Sequence, residues 1–134
     1  MTKKQKDSVK KKIAGLRSLF GLTNWEIIYF WENKDKDEIT ATIKTEIDYK
    51  RISITIYPIF FEEDERAQSR IILHELAHFI TARQIQIITD LREGILVTAR
   101  EVESADEYVA CSVSGVIESL IENGSTDYKK MLGL

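Results

Sequence analysis

The segment IILHELAHFI, residues 71 to 80, sets two imidazoles and a carboxylate (His74, Glu75 and His78) in a run that is otherwise apolar. Two histidines four residues apart on a helix lie one turn apart on the same face, so each can aim a ring nitrogen at one cation. The glutamate next to the first histidine can reach a water on that cation without binding the cation itself. At about 100° per residue, Ile72, Leu73, Leu76, Phe79 and Ile80 fall on the opposite side. Such a helix is anchored by one face and carries its chemistry on the other. The bland alternative is a pair of histidines satisfied by backbone carbonyls beside a core.

A catalytic zinc needs a third protein ligand and an open fourth position. The chain has two histidines in all, so a third imidazole is impossible, and the predicted helix face turns Cys111 away. A carboxylate must supply the ligand. Glu101, Glu103, Asp106 and Glu107 precede or interrupt an apolar stripe through Val102, Val109, Val113, Val116, Ile117 and Leu120. Projected on that stripe, Asp106 is expected near the centre, Glu103 at the margin, Glu107 further out and Glu101 on the far side. A carboxylate does not occupy a buried stripe without a partner. Glu103 is therefore assigned to the metal and Asp106 to a ligand imidazole, because ligating histidines usually donate their second nitrogen to a carboxylate. Exchanged roles, Glu107 as ligand, and Asp90 in the preceding stretch stay open.

These residues have to be positioned by the elements around them. Val9, Ile13, Leu16 and Phe20 recur at helical spacing behind possible caps Asp7 and Ser8, with Gly21 placed to end the turn. WEIIYFW (25 to 31), ITATIKTEI (39 to 47) and RISITIYP (51 to 58) are short and rich in β-branched and aromatic residues, which predicts three consecutive strands as an antiparallel meander. Pro58 ends the last strand. Glu62, Glu63, Asp64 and Glu65 suit the positive end of a helix dipole, and a helical period follows to about Ile85. A less regular stretch with Asp90 and Gly94 leads to a third helix from about Thr98 to Glu122, closed by Asn123-Gly124. The expected fold class is α+β, in the order α-β-β-β-α-α.

With 134 residues, 43% hydrophobic and 31% charged, the chain fits one domain over residues 1–134. No apolar stretch approaches the roughly 18 residues of a bilayer span, and no signal-type segment follows the N-terminus. The lone Cys111 offers no internal disulfide. A cytoplasmic protein with no membrane partner is expected. Residues 1–12 form a basic arm of charge +5, six lysines against Asp7, in a chain of net charge −3, which leaves −8 elsewhere. Such an arm attracts polyanions or forms a solvated helix start; the acidic body and the lack of a recognised binding motif argue against nucleic acid. Asn123-Gly124-Ser125 matches a glycosylation sequon but reads as a helix-ending turn.

HELAH followed by REVESADEYVA (100 to 110) resembles a minimal zincin-type, gluzincin-like metallopeptidase. The strand run before the motif and the short chain also resemble compact ImmA/IrrE-type peptidases of phages and mobile elements. The metzincin extension is excluded by Thr81 and Gln84, where it needs Gly and His, and SprT-like proteases use a third histidine that this chain lacks. Gluzincins commonly place a carboxylate four residues after the glutamate ligand, which here is Glu107. The resemblance implies a peptidase acting on a peptide or protein substrate, with zinc on His74, His78 and Glu103. A zinc-polarised water then attacks the scissile carbonyl while Glu75 takes its proton and returns it to the leaving amine. Tyr108, Tyr49, Tyr57 or an arginine would stabilise the oxyanion, and substrate would lie along the edge strand beside the zinc helix. Two rivals stand beside this reading. One is a catalytically silent zincin-fold module that captures a partner such as a repressor; the other is a domain whose lysine arm is the working part. A cysteine hydrolase would need Cys111 within reach of a histidine base.

Overall fold

The computed structural model describes residues 1–122, apart from the side chains of residues 117, 118, 121 and 122. Asn123-Gly124, expected to close the last helix, and the sequon lie outside the described residues. The fold is α+β: a helix, a three-stranded mixed sheet, and then three helices.

Helix α1 (Lys3–Arg17) starts earlier than the caps Asp7 and Ser8 suggest, because Thr2 and Gln5 form a capping box. The Gln5 N–H donates to Thr2 Oγ1 at 3.2 Å, and the Thr2 N–H to Gln5 Oε1 at 2.7 Å. Two orphan donors are satisfied reciprocally, which favours initiation there. Most of the basic arm is thus helix, with Val9, Ile13 and Leu16 buried. Lys6 and Lys10 extend over the rings of Trp31 and Tyr29, 5.5 Å and 5.6 Å from the centroids. The helix ends at Arg17, and Gly21 at φ 66° completes the turn that follows.

Strands β1 (Glu26–Trp31), β2 (Ala41–Glu46) and β3 (Arg51–Ile56) pair in the order β1-β3-β2. β3 is antiparallel to β2 and parallel to β1, so the expected antiparallel meander is corrected to a mixed sheet. The burial of β3 gives the reason. Ile52, Ile54 and Ile56 alternate with polar residues and are at most 1% exposed, so this strand takes the centre, where both edges are covered. Residues 32–40 form a nine-residue connection long enough to carry the chain from β1 past β3. A tight 3₁₀ turn at Ile47–Tyr49, with Lys50 at φ 47°, joins β2 to β3. β1 and β2 are the two edge strands among the described residues.

Helix α2 (Glu65–Ala77) is capped by Asp64, whose carboxylate accepts from the Ala67 N–H at 2.8 Å. Ile72 and Leu76 join the sheet isoleucines, Phe60 and the apolar face of α1 in one core. The helix does not continue to Ile85 as its period suggests. A 3₁₀ turn at His78–Thr81 intervenes, and a separate helix α3 (Ala82–Arg92) occupies the stretch expected to be irregular. The Thr81 hydroxyl donates to the His78 carbonyl at 3.3 Å and Tyr108 takes that of Phe79, so two carbonyls that would propagate the helix are engaged by side chains. After Gly94, at φ 74°, helix α4 (Ala99–Glu122) begins behind a second reciprocal cap between Thr98 and Glu101. Among the described residues, no helix is long and apolar enough to cross a membrane.

Candidate metal centre

His74 and Glu75 stand on the last turn of α2, and His78 is its C-terminal cap residue, still in the right-handed helical region at φ −59° and ψ −24°. The helical spacing therefore holds through the second histidine although the helix ends one residue before it. The expected division of faces is present: Ile72, Leu76 and Phe79 are buried, Leu73 and Ile80 are half-buried, and His74 and His78 are exposed. The opposite face is locked by packing, and this fixes where the imidazoles project. Phe79 lies edge-on to Trp25 at 5.0 Å and to Tyr108 at 5.6 Å between ring centroids.

The two Nε2 atoms converge to 3.2 Å, with the rings 4.8 Å apart and nearly perpendicular. Two nitrogens each about 2.0–2.1 Å from a tetrahedral ion are separated by about 3.3–3.4 Å. The observed spacing is therefore close to one edge of a zinc tetrahedron. One donor atom from each of His74, Glu75 and His78 lies within 4.8 Å of the others, and among the described residues this is the group of metal-ligating type that comes together. The donor chemistry of the histidine pair fits zinc.

Glu75 is half-buried beside β2. Burial raises its pKa above the ordinary carboxylate value, and His78, His74 and the backbone N–H of Ile43 on the edge strand offset only part of that rise. The Ile43 contact ties the candidate base to the sheet edge. Sequence reasoning missed it, since which strand is the edge depends on long-range pairing; the alternating isoleucines of β3 were the available signal.

The carboxylates of α4 are placed differently from expectation. Ala105 and Tyr108 turn inward, and Glu103, Asp106 and Glu107 are all exposed and outside the three-residue group. The expectation of Asp106 at the centre of a buried stripe is thus corrected. Val102 and Val113, which defined that stripe, are 52% and 40% exposed. Small Ala105 allows the close approach of α4, sealed by Gln84, which donates to the Ala105 carbonyl at 2.8 Å. Asp90 on α3 also lies outside the group, its carboxylate accepting from Gln86 at 2.9 Å.

Of the candidate oxyanion tyrosines, Tyr108 donates to the Phe79 carbonyl at 3.3 Å, and burial pushes its phenol up to about 12. Tyr49 is 75% exposed beneath Arg51, and Tyr57 is half-buried. Cys111 is exposed, with Glu107 4.0 Å from its sulfur rather than a histidine. Compared with known proteins, the chain matches no family model, and neither a curated protein nor a solved structure is significantly similar to it.

Proposed function

We propose that this protein is a zinc-dependent peptidase whose metal is held by His74 and His78 and whose general base is Glu75. The observation that carries the reading is the 3.2 Å separation of the two Nε2 atoms, with the Glu75 carboxylate beside them. A zinc ion, when bound, supplies Lewis acidity to polarise the scissile carbonyl and acidify the attacking water. His74 and His78 act as neutral ligands on the exposed face. Glu75 accepts the proton from the attacking water and delivers it to the leaving amine nitrogen. Its seat between the histidines and the Ile43 N–H keeps the carboxylate at the edge strand β2, along which an extended peptide can lie. Glu103 on α4 is the carboxylate assigned as third ligand, with Asp106 as partner to an imidazole. Both face outward, outside the His74–Glu75–His78 group, so this part of the proposal rests on the sequence pattern of α4 alone, and the metal content of Glu103→Ala tests it.

That outward placement also favours a second reading, in which the same fold holds a metal but captures a protein partner without cleaving it. Glu75 separates the two. Hydrolysis of a diverse peptide library, inhibited by a chelator and abolished by Glu75→Gln, supports the peptidase. Metal binding without turnover, together with partner capture that Glu75→Gln leaves unchanged, supports the binding module.

A further inference from the structure

Helix α1 carries six lysines, Lys3, Lys4, Lys6, Lys10, Lys11 and Lys12, and one carboxylate, Asp7. Lys12 pairs with Glu65 on α2 at 3.2 Å. Among the described residues, the other five have no carboxylate oxygen within ion-pair distance, that of Asp7 included. The capping box at Thr2 fixes these lysines on a helix, so their directions follow from the helical period. Val9, Ile13 and Leu16 point into the core, and the lysines fall in two rows on either side of the outward face. Lys6 and Lys10 form the row towards β1, their ammonium groups over Trp31 and Tyr29 at 5.5 Å and 5.6 Å, and Lys3 stands two turns before Lys10. Those rings are themselves stacked, 5.8 Å apart and 6° from parallel, and form a fixed bed for the two stems. Lys4 and Lys11, also two turns apart, form the row towards α2, where they line a groove of about 980 Å³ with Arg66. The acids next to these contacts in the chain do not neutralise them: Glu65 is tied to Lys12, Asp64 caps α2, and Glu32, Glu62 and Glu63 reach none of the five lysines within ion-pair distance.

We infer that the outward face of α1 binds the phosphate backbone of double-stranded DNA, independently of sequence. A rod about 10–12 Å across with cations on both flanks matches a major groove about 12 Å wide, so that each row of lysines faces the phosphates of one strand. Lysines placed on phosphates position a protein without reading bases. An anionic bilayer fits less well, because the apolar face of α1 is buried in the core and has nothing to insert. The chain's net charge of −3 opposes approach at long range, but at physiological ionic strength exposed charges more than about 8 Å away are largely screened, and the local face decides. The inference goes beyond the proposed peptidase chemistry and does not depend on it.

Fluorescence anisotropy of a labelled duplex of about 20 base pairs, two helical turns, titrated with the full chain tests it. Five neutralised phosphates give a slope of log K against log salt of about −4.5, so raising salt from about 50 to about 200 mM should weaken binding roughly 500-fold. Lys4→Gln/Lys11→Gln and Lys6→Gln/Lys10→Gln should each flatten the slope by about 1.8, one row at a time. Arg92→Gln/Arg100→Gln, which removes two exposed cations from α3 and α4, should leave affinity and slope unchanged. Circular dichroism verifies folding, and the Lys4/Lys11 pair, whose side chains are exposed, keeps the test decisive if loss of the ring contacts unfolds the other pair. Duplexes of different sequence should bind alike. No binding at about 50 mM salt, a slope that the Lys4/Lys11 pair leaves unchanged, or a preference for the separated single strands or for vesicles containing phosphatidylserine would overturn the inference.

Discussion

Phe79 follows the second histidine directly and joins three parts of the molecule, so its removal is the most informative test of how the centre is held. The ring is 5% exposed, sits edge-on to Trp25 before β1 and to Tyr108 on α4, and its carbonyl accepts the Tyr108 hydroxyl. Truncating a buried phenylalanine to alanine costs about 3–5 kcal/mol, and each edge-on aromatic pair accounts for about 0.5–1.5 kcal/mol of such losses. Against a total stability of about 5–15 kcal/mol for a domain, Phe79→Ala should lower the urea midpoint severely. Urea titrations followed by circular dichroism and tryptophan fluorescence measure this. Tyr108→Ala and the double variant complete a cycle whose coupling should be about 0.5–1.5 kcal/mol, because the two side chains touch. A loss below about 1 kcal/mol for Phe79→Ala, or strict additivity with Tyr108→Ala, would refute the claim that this contact fastens α4 to the turn carrying His78.

Three further expectations concern neighbouring features. Burial raises the Tyr108 phenol to about 12, so the folded chain keeps a proton that the unfolded chain loses near pH 10; stability should be complete below pH 10 and decline between pH 10 and 12. Tyr108→Phe should remove part of that decline in urea titrations across the window, Tyr29 contributing in the same direction through its own burial. Arg17 donates to the backbone carbonyls of Leu22 and Trp25, closing the link from α1 to β1, and Arg17→Ala should cost about 1.5–3 kcal/mol in chemical denaturation. Asp64→Ala removes the cap of the motif helix and should cost about 1 kcal/mol by the same assay, with the histidine spacing intact.

The chemistry-bearing segment was legible because helical periodicity is local: seven residues suffice to put His74, Glu75 and His78 opposite Ile72 and Leu76. The strands were legible for the same reason, to within two residues at most ends. Sheet order was not, since the pairing of β1 with β3 is decided by which strand best fills the centre, a comparison across the whole chain. The break after Ala77 escaped because it rests on Thr81 and Tyr108 hydroxyls taking helix carbonyls. The inward face of α4 was misread because Val102 and Val113 look like core residues by type. The face that packs is instead set by small Ala105 and by Tyr108 reaching Phe79, and Glu103, Asp106 and Glu107 are turned outward as a result.

The central claim, that His74 and His78 bind one metal ion, is tested most directly by the metal content of protein purified without added metal and dialysed. Mass spectrometry would compare wild type with His78→Ala, Glu103→Ala and Glu107→Ala. The account predicts about one zinc per wild-type chain, as a single tetrahedral site requires, lost in His78→Ala; loss in Glu103→Ala with retention in Glu107→Ala would identify Glu103 as the third ligand. A wild type that carries no metal even after zinc is supplied would contradict it, and the two imidazoles would then be hydrogen-bonded to each other on a helix end without a cation.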